Sequence, residues 1–245
     1  YVAKIDVANF FTSINKHILE SLLRHRAADH PAWPLLYQVL YHDCRKNARY
    51  KSSNDLFACV PPHKSLLQAP SYLGLPIGNL TSQFFANIYM HEVDRFIKQD
   101  LHIRCYGRYV DDMILFDQDP QRLSHNIKQI NEFLKQNLGL HLNPKKTYIN
   151  KVSAGFDFCG FWIKPGRVYL RNQTWQRAKA RVAIKGQAAQ SGDPQMVADL
   201  QATANSYFGM LRQVNGFRGR RSLGSLGASL FVRPVQDFKK WETFS

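Results

Sequence analysis

A pair of adjacent aspartates between two apolar-rich runs is the feature that most constrains this chain. Asp111 and Asp112 close the tetrapeptide at 109–112, with residues 103–108 before it and 113–116 behind it. Two such runs that meet at polar residues predict a β-hairpin with the carboxylates at its tip. Adjacent carboxylates repel each other unless a cation lies between them. The tip is therefore either a solvated turn or half of a magnesium site for phosphoryl transfer.

A third carboxylate lies near the start of the chain. Residues 1–7 predict a buried strand in which Asp6 is the one acidic residue, and buried acids are rare unless they are paired or bind metal. A strand-end position is the ordinary alternative. Carboxylates from different strands can hold two Mg²⁺ ions roughly 4 Å apart. We therefore predict Asp6, Asp111 and Asp112 as catalytic metal ligands, with the backbone carbonyl of Val7 as a further oxygen donor and Mn²⁺ as an alternative ion.

The overall charge of the chain points to a polyanionic partner. Its 245 residues contain 33 Lys and Arg against 18 acidic residues, for a formal charge of +15. Such a field favours nucleic acid or an anionic membrane surface. No apolar run approaches the length of a spanning helix and no secretory signal is present, so a membrane location is not expected. The cysteines lack a C-x-x-C pair, which favours reduced thiols in a cytoplasmic protein.

The order of predicted elements favours an α+β fold with an antiparallel sheet backed by helices, of the split βαβ type. Helices are predicted at 18–23 and 33–40, then from about 80 to 99 and over 121–138, the last closed by Gly139. Short strands are predicted over 156–163 and 167–170. From residue 175 onward the chain turns helical and basic, so we place the best internal boundary after about residue 172.

Five motifs follow one another along the chain. They are Asp6 with Phe10 and Phe11, Gly78 with Ser82 and Gln83, the tetrapeptide at 109–112, Leu140 with Asn143, Pro144 and Lys146, and Phe158-Cys159-Gly160-Phe161. In this order they resemble the palm motifs of reverse transcriptases. The resemblance implies a right-hand polymerase palm with part of the fingers over residues 1–171, a basic helical thumb over 172–245, and fingers that precede residue 1 and are missing here.

Residues 61–66 and 74–83 are similar to the reverse transcriptases of diversity-generating retroelements. Ile77 stands where related enzymes usually carry Gln, and Gln83 stands where they carry Pro. This resemblance implies error-prone cDNA synthesis from an RNA template, using dNTPs and a small basic accessory variability protein. The alternatives are a reverse transcriptase of the retron or group II intron type and a non-catalytic RNA-binding relative.

The resemblance also implies roles for individual residues. An aromatic ring beneath the sugar would select dNTPs; Phe10 is preferred for this role and Phe11 is the alternative, while core packing is the ordinary reading of both. Lys146 would contact nucleotide phosphate or the primer end, unless it is a solvated surface charge. The other predicted nucleotide-binding residues are Pro76, Ile77, Gly78, Gln83 and Tyr109.

Two further groups are predicted to hold primer and template. The run Phe158, Cys159, Gly160 and Phe161 would grip the primer terminus, although a core strand fits the same pattern. In the basic tail, Arg177, Arg181 and Arg212 would follow a nucleic-acid backbone without reading its sequence. A solvated helix face is the ordinary alternative for these arginines.

Overall fold

The computed structural model describes residues 1–46, 49, 51, 56–57, 59–214, 219 and 222–223. Contacts divide the chain into two compact units, residues 1–151 and 152 onward. The division falls earlier than the boundary drawn from the sequence after 171, because the strands between 156 and 170 group with the helices that follow them. The assignment of 1–171 to a palm and 172–245 to a thumb stays a prediction.

The first unit contains a four-stranded antiparallel sheet. Its strands lie in the order β2-β3-β1-β4, so β1 and β3 occupy the centre. The hairpin predicted around the paired aspartates is β2-β3, and the antiparallel sheet of the predicted α+β class is confirmed. The strands are β1 Val2–Asp6, β2 Tyr106–Tyr109, β3 Asp112–Phe116 and β4 Tyr148–Asn150.

Helices accompany this sheet, and the two long ones predicted from the sequence are confirmed. α4 and α5 each continue into a π-helical turn, Phe96–Asp100 and Leu134–Leu138. Gly139, at φ 62°, follows the second of these turns in the left-handed conformation that glycine favours at helix ends. The helices are α1 Phe10–Ser13, α2 Lys16–Ala27, α3 Trp33–Tyr41, α4 Leu80–Arg95 and α5 Pro120–Phe133.

The alternation of side chains along the central strands separates the core from the polar face of the sheet. Ala3 and Ile5 of β1 and Met113 and Leu115 of β3 are fully buried and share one apolar cluster with the inward side of α4. Successive residues of a strand point to opposite faces. The polar side chains of the same strands therefore lie together on the other face.

Tyr89 of α4 joins three parts of this unit through its buried hydroxyl group. The hydroxyl donates to the carbonyl oxygen of Leu138 at 2.5 Å and accepts from the backbone N–H of Asn15 at 3.4 Å. Burial raises the pKa of Tyr89 to about 12. The phenol therefore stays protonated at neutral pH and can keep donating to that carbonyl.

The second unit combines a three-stranded antiparallel sheet with long helices that follow it in the chain. Ala178 and Val182 of the first helix pack with Leu200 and Leu211 of the second in a separate core. Within the described residues, no helix of either unit is long and apolar enough to cross a bilayer. The elements are β5 Phe156–Phe158, β6 Phe161–Lys164, β7 Arg167–Leu170, α6 Asn172–Ala189 and α7 Pro194–Arg212.

Candidate active site

The hairpin tip is a two-residue turn that carries one of the predicted acids. Tyr109 pairs with Asp112, which leaves Val110 and Asp111 as the loop. Val110 has φ 57°, and positive φ at the first loop residue is typical of the tight turns that match strand twist. Asp111 is partly buried, whereas Tyr109 is 62% exposed. The turn therefore holds Asp111 beside Asp112, the first residue of β3.

The register of the central strands brings the third acid to the same place. Asp6, the last residue of β1, lies directly opposite Asp112. Directly opposite residues of an antiparallel pair project to the same face, with Cβ atoms about 4.5–5.5 Å apart. Asp6 is 5% exposed. The structure thus places all three predicted acids at the hairpin end of the sheet.

The segment after α5 closes over Asp6. The backbone N–H of Asn143 donates to the carbonyl oxygen of Asp6 at 2.7 Å, and its side-chain amide donates to Asp6 Oδ2 at 3.2 Å. Lys146 Nζ donates to Asp6 Oδ1 at 3.0 Å, although 61% of the Lys146 side chain is exposed. The other oxygen donor proposed for a metal, Val7, pairs with Leu142 through a β-bridge. Lys146, which is predicted to bind nucleotide, is therefore ion-paired with Asp6 in this structure.

Electrostatics at this cluster follow from crowding of like charges away from water. Burial raises the pKa of Asp112; the charge of Asp6 and a hydrogen bond with its carboxyl group add to this, against the opposing charge of Lys4. Burial also raises the pKa of Asp111, with further contributions from the charges of Asp112 and Asp6. The hydrogen bond to Asp6 raises the pKa of Lys146. The crowding of like charges therefore favours the protonated forms of Asp111 and Asp112, and the neighbouring acids favour the charged form of Lys146.

The donor set fits a hard divalent ion. Asp112 Oδ1 is buried and accepts no hydrogen bond from any residue that the structure describes. Its nearest positive charge is Lys4 Nζ at 3.8 Å. Carboxylate oxygens are the ligands that Mg²⁺ prefers. Among the described residues, no three Asp, Glu, His or Cys side chains stand close enough to hold an ion as they are, so a shared ion would require Lys146 to leave Asp6 and the carboxylates to turn.

The two phenylalanines after β1 differ in burial. Phe10 is 3% exposed and belongs to the core, whereas Phe11 is only partly buried and packs against the edge of that core. A ring enclosed by its own core cannot contact a nucleotide sugar. This burial favours Phe11, the alternative kept in the sequence analysis, over Phe10, and the identity of the sugar-selecting ring stays a prediction.

The loop before α4 presents its predicted nucleotide-binding residues to solvent. Ile77 is 78% exposed, and Gly78 adopts φ 106°, a conformation open to glycine. Pro76 is half-buried, and Gln83 is exposed in the first turn of α4. An apolar side chain as exposed as Ile77 does not contribute to the core, so it is available to a ligand.

The second unit contains the predicted primer-gripping and backbone-contacting residues. Phe158 and Phe161 pair across a two-residue turn in which Cys159 and Gly160 both have positive φ, as a type I′ hairpin requires. Both phenylalanines are partly buried. The predicted backbone-contacting arginines are exposed on the two helices: Arg177, Arg181 and Arg212.

Two contributors to the site were missed in the sequence. Lys4 is buried, and its position two residues before Asp6 in a strand was the available signal, since residues at i and i+2 share a face. Arg108 immediately precedes the tetrapeptide and contacts the carbonyl of Val110 at 2.9 Å. Its main partner, Asp94, lies on α4 and not in the hairpin, so no pattern within the hairpin indicated the role of Arg108.

Comparisons with known proteins agree with this arrangement. The profile of the family described as reverse transcriptase (RNA-dependent DNA polymerase) matches residues 1–163. A putative COX1/OXI3 intron 2 protein from Saccharomyces cerevisiae is 22% identical over an alignment of 238 residues, and the match covers 75% of this chain and 25% of the yeast protein. This chain therefore spans about a quarter of that relative.

A solved structure of telomerase from Candida albicans, in complex with the TWJ fragment of telomeric RNA, shows a weaker likeness. It aligns with 94% of this chain and 45% of its own chain, at 11% identity and a TM-score of 0.40, a level that supports no argument about function. The family match, by contrast, covers both strands that carry the three aspartates and the segment that closes over Asp6. The chain therefore belongs to the reverse transcriptase (RNA-dependent DNA polymerase) family.

Proposed function

We propose that this chain is the polymerising part of an RNA-directed DNA polymerase. The observation that carries the proposal is the pairing of Asp6 directly opposite Asp112, with Asp111 in the adjoining turn, in a chain of the reverse transcriptase family. Three carboxylates from two strands and a turn are the donor set that nucleotidyl transfer requires. The substrates would be dNTPs and a primer annealed to an RNA template.

Asp6, Asp111 and Asp112 would hold two Mg²⁺ ions, with the backbone oxygen of Val7 as a further donor. When bound, such ions supply positive charge to the 3′-hydroxyl nucleophile and to the pyrophosphate leaving group. Lys146 would have to leave Asp6 for such ions to bind, and its exposed ammonium would then be available to a nucleotide phosphate. Lys4 lies buried beside Asp112 and would offset part of the acidic charge.

Substrate selection is assigned to side chains around the acids. Phe11 would lie beneath the sugar and exclude a 2′-hydroxyl, since Phe10 is enclosed by the core. Ile77 would face the templating base pair, with Pro76 and Gly78 shaping the loop. An apolar residue there makes no hydrogen bond that a mispaired nucleotide would leave unsatisfied, so it would check pairing weakly.

The second unit would contact primer and template. Arg177 and Arg181 lie one helical turn apart on the exposed side of α6, a spacing that suits a run of phosphates. Arg212 closes α7 and would add to the same salt-sensitive contact. Further arginines of the basic tail, Arg218, Arg220 and Arg221, lie outside the described residues.

We propose the diversity-generating retroelement type for the subfamily, on the loop sequence around Ile77 and Gln83. Its partners would be a structured template RNA and a small basic accessory variability protein, in the cytoplasm. An intron type of reverse transcriptase is the second candidate, and the similarity to the yeast intron 2 protein favours it.

Primer extension on an RNA template tests the polymerase proposal. We expect Mg²⁺-dependent DNA synthesis by the native chain and a loss of at least about 1000-fold in the double variant Asp111→Ala/Asp112→Ala, because removal of both ligands abolishes the ion site. Asp29→Ala is the matched control, because Asp29 is an exposed acid outside the cluster. RNA binding by the native chain without any extension would show a non-catalytic relative instead.

Sequencing of the cDNA separates the two subfamilies. The retroelement type predicts misincorporation concentrated opposite template adenines, whereas an intron type predicts no such bias. If Ile77 lowers fidelity, Ile77→Gln reduces that misincorporation; an unchanged spectrum would remove Ile77 from the explanation. Leu80→Gln, an equally exposed apolar residue in the first turn of α4, controls for the loss of apolar surface.

A further inference from the structure

The side of the sheet that faces α4 carries a polar cluster beneath the hairpin tip. Arg108 of β2 donates from Nε and Nη2 to the two carboxylate oxygens of Asp94 on α4, at 2.8 and 2.7 Å. Tyr106 donates its hydroxyl to Asp94 Oδ1 at 2.8 Å. The remaining guanidinium nitrogen, Nη1, donates to the carbonyl oxygen of Val110 at 2.9 Å and to Asn87 Oδ1 at 3.2 Å. Every nitrogen of Arg108 is therefore engaged.

The carbonyl that Arg108 holds belongs to a strained residue. Val110 has φ 57°, and a β-branched side chain in that region is a genuine outlier because its methyl groups crowd the backbone. The other non-glycine residues with positive φ among those described are Asn9, His102 and Cys159, none of which is β-branched. Strain of this kind persists only where the surroundings enforce it.

Arg108 reaches the tip from behind the catalytic face. It pairs with Met113, whose side chain is fully buried on the helix-facing side, whereas Asp112 projects from the opposite side. The Arg108 side chain is 12% exposed and the Asp94 side chain 23% exposed. Arg108 is thus placed to act on the backbone of the turn from the side opposite the acids.

We propose that Arg108, braced by Asp94, is a positioning residue that holds Val110 in its strained conformation and so keeps Asp111 beside Asp112. This inference rests on the proposed function, because it gives the turn a role in catalysis. The planar fork of arginine is required: it can grip both oxygens of Asp94 while a third bond reaches a backbone carbonyl. Lysine offers a single ammonium and cannot span both partners.

Conservative substitutions test the proposal through the split between kcat and KM in primer extension. In Arg108→Lys, and likewise in Asp94→Asn, we expect kcat to fall at least 10-fold while KM for the dNTP changes less than about 3-fold. The reason is that these substitutions disturb the turn and leave the contacts with the substrate in place. Arg95→Lys is the control, because Arg95 follows Asp94 on α4 but is largely exposed and pairs with Glu92. An unchanged kcat in Arg108→Lys overturns the proposal.

Strain relief provides a second test that a general loss of stability does not mimic. Glycine adopts positive φ without a steric penalty, so Val110→Gly removes the need for the brace. The loss of kcat caused by Arg108→Lys should therefore be at least 3-fold smaller in a Val110→Gly background than in the native one. Equal losses in the two backgrounds would show that Arg108 does not act through Val110.

Hydrogen exchange separates a failure of this inference from a failure of the proposed function. If the native chain shows no polymerase activity, the proposed function fails, but the brace is still measurable without substrate. Amide exchange across residues 107–114 should be at least 10-fold faster in Arg108→Lys than in the native chain and in Arg95→Lys, with protection of α5 unchanged. Unchanged exchange in that segment overturns the brace whatever the activity.

Discussion

Replacement of Lys4 by methionine removes the buried ammonium that lies 3.8 Å from Asp112 Oδ1. Methionine keeps most of the length and apolar volume of the side chain, so the change is chiefly one of charge. Lys4 is 4% exposed, and the oxygen that it faces is itself buried without a hydrogen-bond donor among the described residues. The substitution therefore leaves a carboxylate in the sheet with less compensation than before.

The magnitude follows from the distance and the burial of the two groups. Two unit charges about 4 Å apart attract by about 4 kcal/mol at an effective dielectric constant of about 20. Breaking a fully buried pair costs about 3–5 kcal/mol. The side chain of Asp112 is 25% exposed, and 3.8 Å is longer than a hydrogen bond, so we expect a smaller loss, of about 1–3 kcal/mol in the free energy of unfolding.

Denaturant unfolding in EDTA measures this loss, and repetition in saturating Mg²⁺ connects it to the proposed site. Lys128→Met is the charge-matched control, because Lys128 is exposed on α5. The deficit of Lys4→Met should shrink in Mg²⁺, since the ion then supplies positive charge to Asp112. A deficit within about 0.5 kcal/mol of the control in EDTA would refute the pairing argument. A deficit that Mg²⁺ leaves unchanged would refute ion binding at Asp112.

Three further perturbations test packing and charge elsewhere. Tyr89→Phe deprives a buried backbone carbonyl of its donor and should lower the free energy of unfolding by about 1–3 kcal/mol in denaturant titrations, with little change in the exposed-tyrosine control Tyr72→Phe. Gly155→Ala should lower the thermal midpoint of the second unit, because a Cβ there would lie 2.5 Å from Trp162 Nε1 at φ 92°; an unaltered midpoint in calorimetry would contradict the close approach. Burial favours the protonated form of Asp94. Hydrogen bonds from Arg108 and Tyr106 outweigh that effect, so the pKa of Asp94 is lowered. The stability that the ionised form provides is therefore present above about pH 4 and lost as pH falls through the lowered pKa, so unfolding at low pH should depend less on pH in Asp94→Asn.

Much of the fold was predictable because local patterns carry it. The apolar runs around Asp111 and Asp112 specified the hairpin, and the helical spacing of apolar residues specified α4 and α5. Strand and helix periods fix which side of an element is apolar, and turn residues fix where it ends. The three acids were identified for the same reason: a carboxylate inside an apolar pattern violates the local rule and so attracts notice.

The choice between neighbouring residues was beyond the sequence. Phe10 and Phe11 are chemically identical and adjacent, and only the packing of α1 against the core shows that Phe10 is enclosed. Core burial depends on which elements meet, and that is decided by contacts between distant parts of the chain. Burial therefore favours Phe11 as the sugar-selecting ring, and that choice stays a prediction.

The sequence by itself determined that this chain carries an α+β fold, a β-hairpin with two acids at its end, and a strand with a third. Tertiary structure alone decided that Asp6 stands opposite Asp112, that Lys4 and Lys146 lie beside two of the acids, and that Asp94 braces the turn through Arg108. The physical reason is that periodicity is a property of one segment, whereas strand register and ion pairing are properties of two. Asp94 and Arg108 lie on different elements, and only the folded chain brings them within hydrogen-bonding distance.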